Sequence, residues 1–275
     1  MLLTYIIAND EITLGFIENS EFISTVYVST DLRRTADEYA SIFKSLFELR
    51  KIHLEQLDGV IGASVVPTLT ETVRSAIESV TGIKSHLLST GTKTGLNILT
   101  DDPSQLGGDL VAAAVGAMKR YSTPMIIIDF GTATTFSALN KDGAFVGCAI
   151  APGLTLSSKA LSDGTSLLPQ ISCSVPKKCI GTNTLESMQS GCIFGNAAMI
   201  DGMIERIEAE LGTSASIIAS GKDASTIVPL CKHNIICDST VSLLGLEHIY
   251  QKNSRKKNSL MRNNSATNIT RRVHL

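Results

Sequence analysis

Apolar positions recur along this chain with two periods, and each change of period marks an element. Met1-Leu2-Leu3-Thr4-Tyr5-Ile6-Ile7 reads as a first strand, and Thr13-Leu14-Gly15-Phe16-Ile17 as the second strand of an opening hairpin. Phe22 to Val28 is a further strand. The period then lengthens: Tyr39, Ile42, Phe43, Leu46 and Phe47 share one helical face. Thr35 and Glu38 precede that face with the spacing of a capping box. Leu57 to Val66 predicts a strand ended by Pro67, Leu69 to Val80 a helix stopped by Gly82, and His86 to Leu88 a short strand. Asp101 to Asp109 is a polar loop that leads into a helix over Leu110 to Lys119.

The same pattern then begins again. Met125-Ile126-Ile127-Ile128 predicts a buried strand, with Asp129 where it leaves the core. Phe136 to Leu139 returns as a second strand. Phe145 to Gly153 is a strand and turn, Ser157 to Ser162 a short helix, and Pro169 to Lys178 an extended connection. Thr182 to Ser187 caps a helix that runs on through Met199 to Leu211 and ends at Gly212. Ser216 to Gly221 is a strand, and Thr240 to Tyr250 a closing helix. Tyr5-Ile6-Ile7-Ala8-Asn9 can be laid over Ile128-Asp129-Phe130-Gly131-Thr132, which suggests two related halves.

Candidate chemistry gathers at Asp129-Phe130-Gly131-Thr132-Ala133-Thr134-Thr135. Turn amides and hydroxyls can bind phosphate oxygens, and a carboxylate can hold a cation or its water. A plain hairpin with a Thr-rich tip accounts for the same residues. Asp109 stands at a helix start, where its charge suits the helix dipole, so an N-cap role is an alternative to a chemical one. Thr90 to Gly95 is rich in Gly and Thr but is not a P-loop.

Composition narrows the class. Apolar residues make up 43% of 275, enough for a sizeable core, and no apolar run nears the ~20 residues of a membrane span. The six cysteines form no C-x-x-C pair, which points to a reduced, cytoplasmic setting. The five histidines fall in separate segments without metal-ligand spacing. Net charge is -2, but 252–275 carries seven Lys/Arg and no acid, leaving -9 for the body. This basic tail lacks interleaved aromatics and predicts disorder rather than nucleic-acid binding.

Several segments together resemble the type III pantothenate kinases of the acetate kinase/Hsp70/actin superfamily. They are Thr30-Asp31-Leu32-Arg33-Arg34-Thr35-Ala36-Asp37-Glu38, Ser64-Val65-Val66-Pro67, Lys93-Thr94-Gly95-Leu96, Asp129 to Phe136, Ala149 to Gly153, and Gly181 with Asn183-Thr184 and Glu186 to Gly191. The resemblance implies an α/β fold of two RNase H-like, actin-like ATPase domains, with mixed sheets facing an interdomain cleft. Its expected extents are 1–118 and 119–250, followed by the tail at 251–275. It implies ATP-dependent phosphorylation of pantothenate to 4'-phosphopantothenate, the first step of coenzyme A synthesis. Mg²⁺ and a monovalent cation (K⁺ or NH₄⁺) would be required. The expected state is a cytoplasmic homodimer, with neither nucleic acid nor membrane as partner. Asp109 would be the general base. Thr100, Gly107, Gly108, Asp109, Leu110 and Thr184 would meet pantothenate. Asn9, Gly131 and Thr132 would meet ATP, and Asp129 would hold the cation.

The chain also departs from the family pattern. Where the family opens with D-x-G-N-[TS], this chain reads Ile6-Ile7-Ala8-Asn9-Asp10. Ile6 removes a carboxylate, and Asp10 sets a negative charge where a hydroxyl is expected beside phosphate. Leu110 stands where an arginine would bond a carboxylate, and Thr100 replaces an aromatic. The late A-T-G-G turn reads Ala219-Ser220-Gly221-Lys222. The alternative to a working kinase is therefore a catalytically degenerate paralogue with a binding or regulatory role.

Overall fold

The computed structural model describes residues 1–254. The basic tail expected over 251–275 starts later than that: 251–254 continue the last helix, and from 255 onward it lies outside the described residues. Contacts divide the chain into two units: Met1–Gly95, Gly107–Gly116 and the residues from Leu243 form one, and Leu96–Leu106 with Ala117–Ser242 the other.

In the first unit, β1 (Leu2–Ile7), β2 (Glu11–Glu18) and β3 (Glu21–Ser29) form an antiparallel meander. After α1 (Ala36–Leu49), β4 (Gly59–Ser64) joins β1 in parallel. After α2 (Pro67–Thr81), β5 (Ser85–Leu87) extends the sheet to the order β3-β2-β1-β4-β5. Strand alternation sends Leu3, Tyr5, Ile7, Leu14 and Phe16 to one face, where they meet Tyr39, Phe43 and Phe47 of α1. The capping box forms as the sequence predicts. Thr35 Oγ1 accepts from the Glu38 amide, and the Glu38 carboxylate accepts from the Thr35 amide. Gly82 ends α2 in the left-handed conformation, with φ 68°. α3 (Gly108–Arg120) starts in this unit, and a last helix, α7, over 241–254, returns to it.

In the second unit, β6 (Met125–Phe130), β7 (Ala133–Leu139) and β8 (Phe145–Pro152) repeat the meander. α4 (Leu154–Asp163) and the 28-residue α5 (Thr184–Leu211) follow. β9 (Ser216–Gly221) pairs with β6 in parallel. After the short α6 (Ala224–Ile227), β10 (Ile236–Cys237) closes the order β10-β9-β6-β7-β8. The two sheets thus share one strand order and one set of directions. The core of this unit packs Ile126, Ile128, Phe130 and Phe136 against Ile193, Ala197, Ile200 and Ile204 of α5.

Several elements are longer than their patterns predict. β2 and β7 start earlier, at Glu11 and Ala133, because ladder hydrogen bonds continue into polar residues. Asp129 therefore lies inside β6, and only Gly131 and Thr132 form the hairpin tip.

Candidate active site

Asp109 is positioned by the start of α3. The Gly107 carbonyl accepts the first helical bond, from the Val111 amide at 3.1 Å, so Gly107 is the cap residue and Asp109 lies in the first turn. The N-cap alternative for Asp109 therefore does not hold. Its Oδ1 is buried without a hydrogen-bond partner among the described residues. Burial pushes the Asp109 carboxyl above its ordinary pKa, against the pull of the Leu110 amide and its own. A Cβ on Gly107 would stand 2.5 Å from Asp109 Oδ1, so any side chain there would displace the carboxylate, and 3.7 Å from Val65 Cγ1, an ordinary contact. A Cβ on Gly108 would stand 3.5 Å from both Ala63 Cβ and Leu88 Cδ2, ordinary contacts that pack the helix start on the sheet. The Val65 amide donates to Ile7 O at 3.0 Å, which sets this corner beside the end of β1.

The β1–β2 turn follows directly. The Ala8 amide donates to Glu11 O at 3.0 Å, and Thr30 Oγ1 donates to Ala8 O at 2.7 Å. Asn9 is exposed at the tip, while Ala8 and Asp10 are half-buried. Ile6 packs beside Ile17, Leu243 and Leu244, an apolar setting for the residue that departs from the family's carboxylate.

In the second unit the β6–β7 hairpin holds Asp129, Gly131 and Thr132 together. Ser220 Oγ, on β9, donates to Asp129 Oδ1 at 2.7 Å. Thr135, the register partner of Asp129 on β7, has a buried Oγ1 with no hydrogen-bond partner among the described residues. Backbones converge on the tip. The Gly153 amide donates to Thr132 O at 3.0 Å. Gly221 adopts φ +91°, with room for no Cβ against the Phe130 carbonyl 2.5 Å away.

Thr100 belongs to the second unit, unlike Gly107, Gly108, Asp109 and Leu110. Its Oγ1 is buried and unpartnered among the described residues. Thr184 is the exposed first residue of α5. Asn183 caps that helix by accepting from the Glu186 amide at 2.9 Å. Beside Thr184 opens a cavity of about 560 Å³, lined by Leu161, Leu168, Thr182, Asn183 and Met188 among others. It is largely open to solvent, and its lining mixes apolar side chains with the hydroxyl residues Thr182, Thr184 and Ser187. Sequence reasoning did not assign the hydroxyls of Ser220 and Thr135 to Asp129. The link to Ser220 is a strand register, visible only once β9 lies beside β6, and Thr135 is the register partner across the β6–β7 hairpin.

Among the described residues, no group of three or more His, Cys, Asp or Glu side chains could hold a metal ion. For a monovalent ion, Asp129 and its flanking hydroxyls offer suitable oxygen donors.

Duplicated five-stranded mixed sheets with helices define an actin-like ATPase fold. The activator of 2-hydroxyisocaproyl-CoA dehydratase from Clostridium difficile, solved with bound ADPNP, has a similar fold. Its TM-score is 0.54 at 12% identity, over 94% of this chain and 97% of that one. Within the class the sequence is more specific. The type III pantothenate kinase profile matches residues 2–206. The type III pantothenate kinase of Citrifermentans bemidjiense is 38% identical over 92% of this chain and 100% of its own length. That of Halalkalibacterium halodurans is 34% identical over the same shares. The chain belongs to the type III pantothenate kinase family.

Proposed function

We propose that this protein phosphorylates pantothenate with ATP, giving 4'-phosphopantothenate and ADP. The observation that carries the proposal is the half-buried Asp109 carboxylate, with one oxygen unpartnered and its pKa raised by burial. A base needs a lone pair without a partner and a pKa moved toward neutrality; Oδ1 carries the first, and burial at the start of α3 supplies the second. Asp109 takes the proton of the substrate hydroxyl as the γ-phosphoryl passes to that oxygen and ADP departs. Gly107 and Gly108 let the start of α3 pack closely around the carboxylate, and with Leu110 and Thr100 they contact pantothenate. Thr184, beside its cavity, contacts the same substrate. Asn9, Gly131 and Thr132 meet the phosphates of ATP through turn amides and a hydroxyl. Asp129 holds a monovalent cation, K⁺ or NH₄⁺, whose charge offsets that of the phosphates. Mg²⁺ comes bound to the nucleotide.

The protein is taken to act in the cytoplasm as a homodimer, with neither nucleic acid nor membrane as partner. Ile150, Leu167 and Ile180 of the second unit are 70%, 90% and 80% exposed, and apolar side chains this open favour burial against another chain. The alternative, a degenerate paralogue, is favoured by one specific feature: the apolar packing of Ile6 where a phosphate site would carry an acid. A coupled assay of ADP release with and without pantothenate, alongside calorimetry for each ligand, separates the two. Pantothenate-dependent turnover supports the kinase. ATP binding without turnover supports the paralogue.

A further inference from the structure

The connection 164–183 between α4 and α5 contains neither helix nor strand. Ordinary connections run to about 4–6 residues, and an ordered link this long inside a folded unit generally has a function. Little apolar burial holds its second half. Ile171 and Cys173 pack against the core of the second unit, whereas Ser172, Ser174, Val175 and 177–180 are exposed.

Two side chains of α5 tie this segment down. Gln189 Nε2 donates to Ser172 O at 3.1 Å and to Ser174 Oγ at 2.8 Å, which uses both of its amide hydrogens. The Ser174 amide donates to Ser172 O at 2.9 Å, so Gln189 holds a tight turn centred on Cys173. Ser190, buried at the next position of the helix, donates from Oγ to Cys179 O. The chain then runs close along the helix start. A Cβ on Gly181 would stand 2.4 Å from the Ser187 amide nitrogen, and Thr182 donates to Glu186 Oε2 from its amide at 3.1 Å and its hydroxyl at 3.0 Å.

The tied segment leads into one wall of the cavity beside Thr184. Leu168, Gly181 and Thr182 of the connection form that wall, and Ser187 and Met188 of α5 face it; Gln189 and Ser190 do not line the cavity. We propose that Gln189 and Ser190 are positioning residues for pantothenate: they hold 172–181 on α5, and with it the wall beside Thr184. This deepens the proposed function and rests on its assignment of Thr184 to pantothenate, but not on turnover. A ligand binds in proportion to the fraction of molecules whose site is assembled. With few buried apolar contacts along 172–181, the hydrogen bonds from α5 set that fraction.

The test pairs hydrogen exchange of the 172–181 amides with pantothenate calorimetry on the full chain, and with steady-state kinetics. Gln189→Met keeps the length of the side chain and removes both donors. It should speed exchange across 172–181 while exchange in β6 and β9 holds, and should weaken pantothenate binding roughly tenfold, within the range two hydrogen bonds supply. KM for pantothenate should rise by the same factor with kcat unchanged, a split that general destabilisation does not give. Ser190→Ala should act in the same direction. Ser174→Ala should have a smaller effect, and combining it with Gln189→Met should add nothing, since both remove one bond. Unchanged exchange in Gln189→Met overturns the proposal, and so does faster exchange with unchanged pantothenate affinity. Weakened binding on this pattern in a protein without turnover would support the positioning role while sinking the kinase reading. Turnover by the wild type with an unchanged KM in Gln189→Met would do the reverse, and a wild type that binds no pantothenate sinks both.

Discussion

Ile6 and Asp129 occupy the same position in two copies of one hairpin. Ile6 faces Thr13 and Ala63 on the neighbouring strands, and Asp129 faces Thr135 and Ser220. The copies diverge at the tip. Ile7 pairs with Ile12 whereas Phe130 pairs with Thr134, so the first turn is one residue longer. One hairpin therefore presents a carboxylate with a hydrogen-bond donor beside it, and the other presents an apolar side chain held against Leu243 and Leu244.

The first prediction follows from that difference. ATP·Mg²⁺ should bind the wild type weakly, since Ile6 offers no acid and Asp10 places a negative charge at the turn. Ile6→Asp, Ala8→Gly and Asp10→Thr together should tighten ATP binding. Ala63→Ser should improve the restored site further, by giving the new carboxylate a donor as Ser220 does for Asp129. Leu110→Arg should add pantothenate affinity. Calorimetry on each variant checks this. Micromolar binding of both ligands by the wild type would refute the degenerate reading.

Asp109→Asn should reduce turnover by at least ~100-fold, the scale of losing a general base. Its effect on stability has a definite sign. Burial raises the pKa of Asp109, so the folded state favours the protonated form. The associated stability is fully present below the ordinary carboxylate pKa and is lost as pH rises through the raised value. Asparagine mimics the protonated form, so the melting temperature at pH 7 should hold or rise. In the wild type, kcat/KM should fall as pH drops through the raised pKa. A pH–rate profile paired with melting curves reads both effects.

Tyr5 fills the space over Gly62, where a Cβ would stand 2.2 Å from Tyr5 Cζ, and its hydroxyl pairs with Ser85 Oγ at 2.8 Å. Gly62→Ala should cost about 1–3 kcal/mol through overpacking, read as a shifted denaturant midpoint. Burial pushes the Tyr5 pKa up to about 12, against the Ser85 hydrogen bond. The neutral phenol is favoured in the fold, so its stability contribution is intact below pH 10 and fades as pH rises toward 12. Tyr5→Phe should flatten that alkaline loss, which amounts to roughly 2–3 kcal/mol at ~1.4 kcal/mol per unit.

If the proposed homodimer forms through this face, Ile150→Glu should shift it to monomer in sedimentation equilibrium. The side chain is 70% exposed on β8, and a buried unpaired charge in a dimer contact is costly. An unchanged mass would place the contact between copies elsewhere.

The hydrophobic pattern alone determined most of the elements, because burying one face of a strand or helix imposes a period of 2 or 3.6 on the sequence. It also determined the overlay of the two halves: Tyr5 to Asn9 matches Ile128 to Thr132 in the register the sheets adopt. The motifs carried the family and singled out Asp109 and Asp129 as candidates. Pairings between distant segments were decided only by the tertiary structure, since no local pattern encodes which strand edge meets which. Ser220 reaches Asp129 because β9 joins β6 in parallel, 91 residues along the chain. Thr100 is placed in the second unit and Gly107 in the first because contacts, not sequence order, group these loops. The residues from Leu243 return to the first unit because apolar side chains such as Leu243 and Leu244 find cover there against Ile17 and Ile6. The chemistry of Asp109 is likewise tertiary, for its pKa is raised by the burial that α3 and its neighbours impose together.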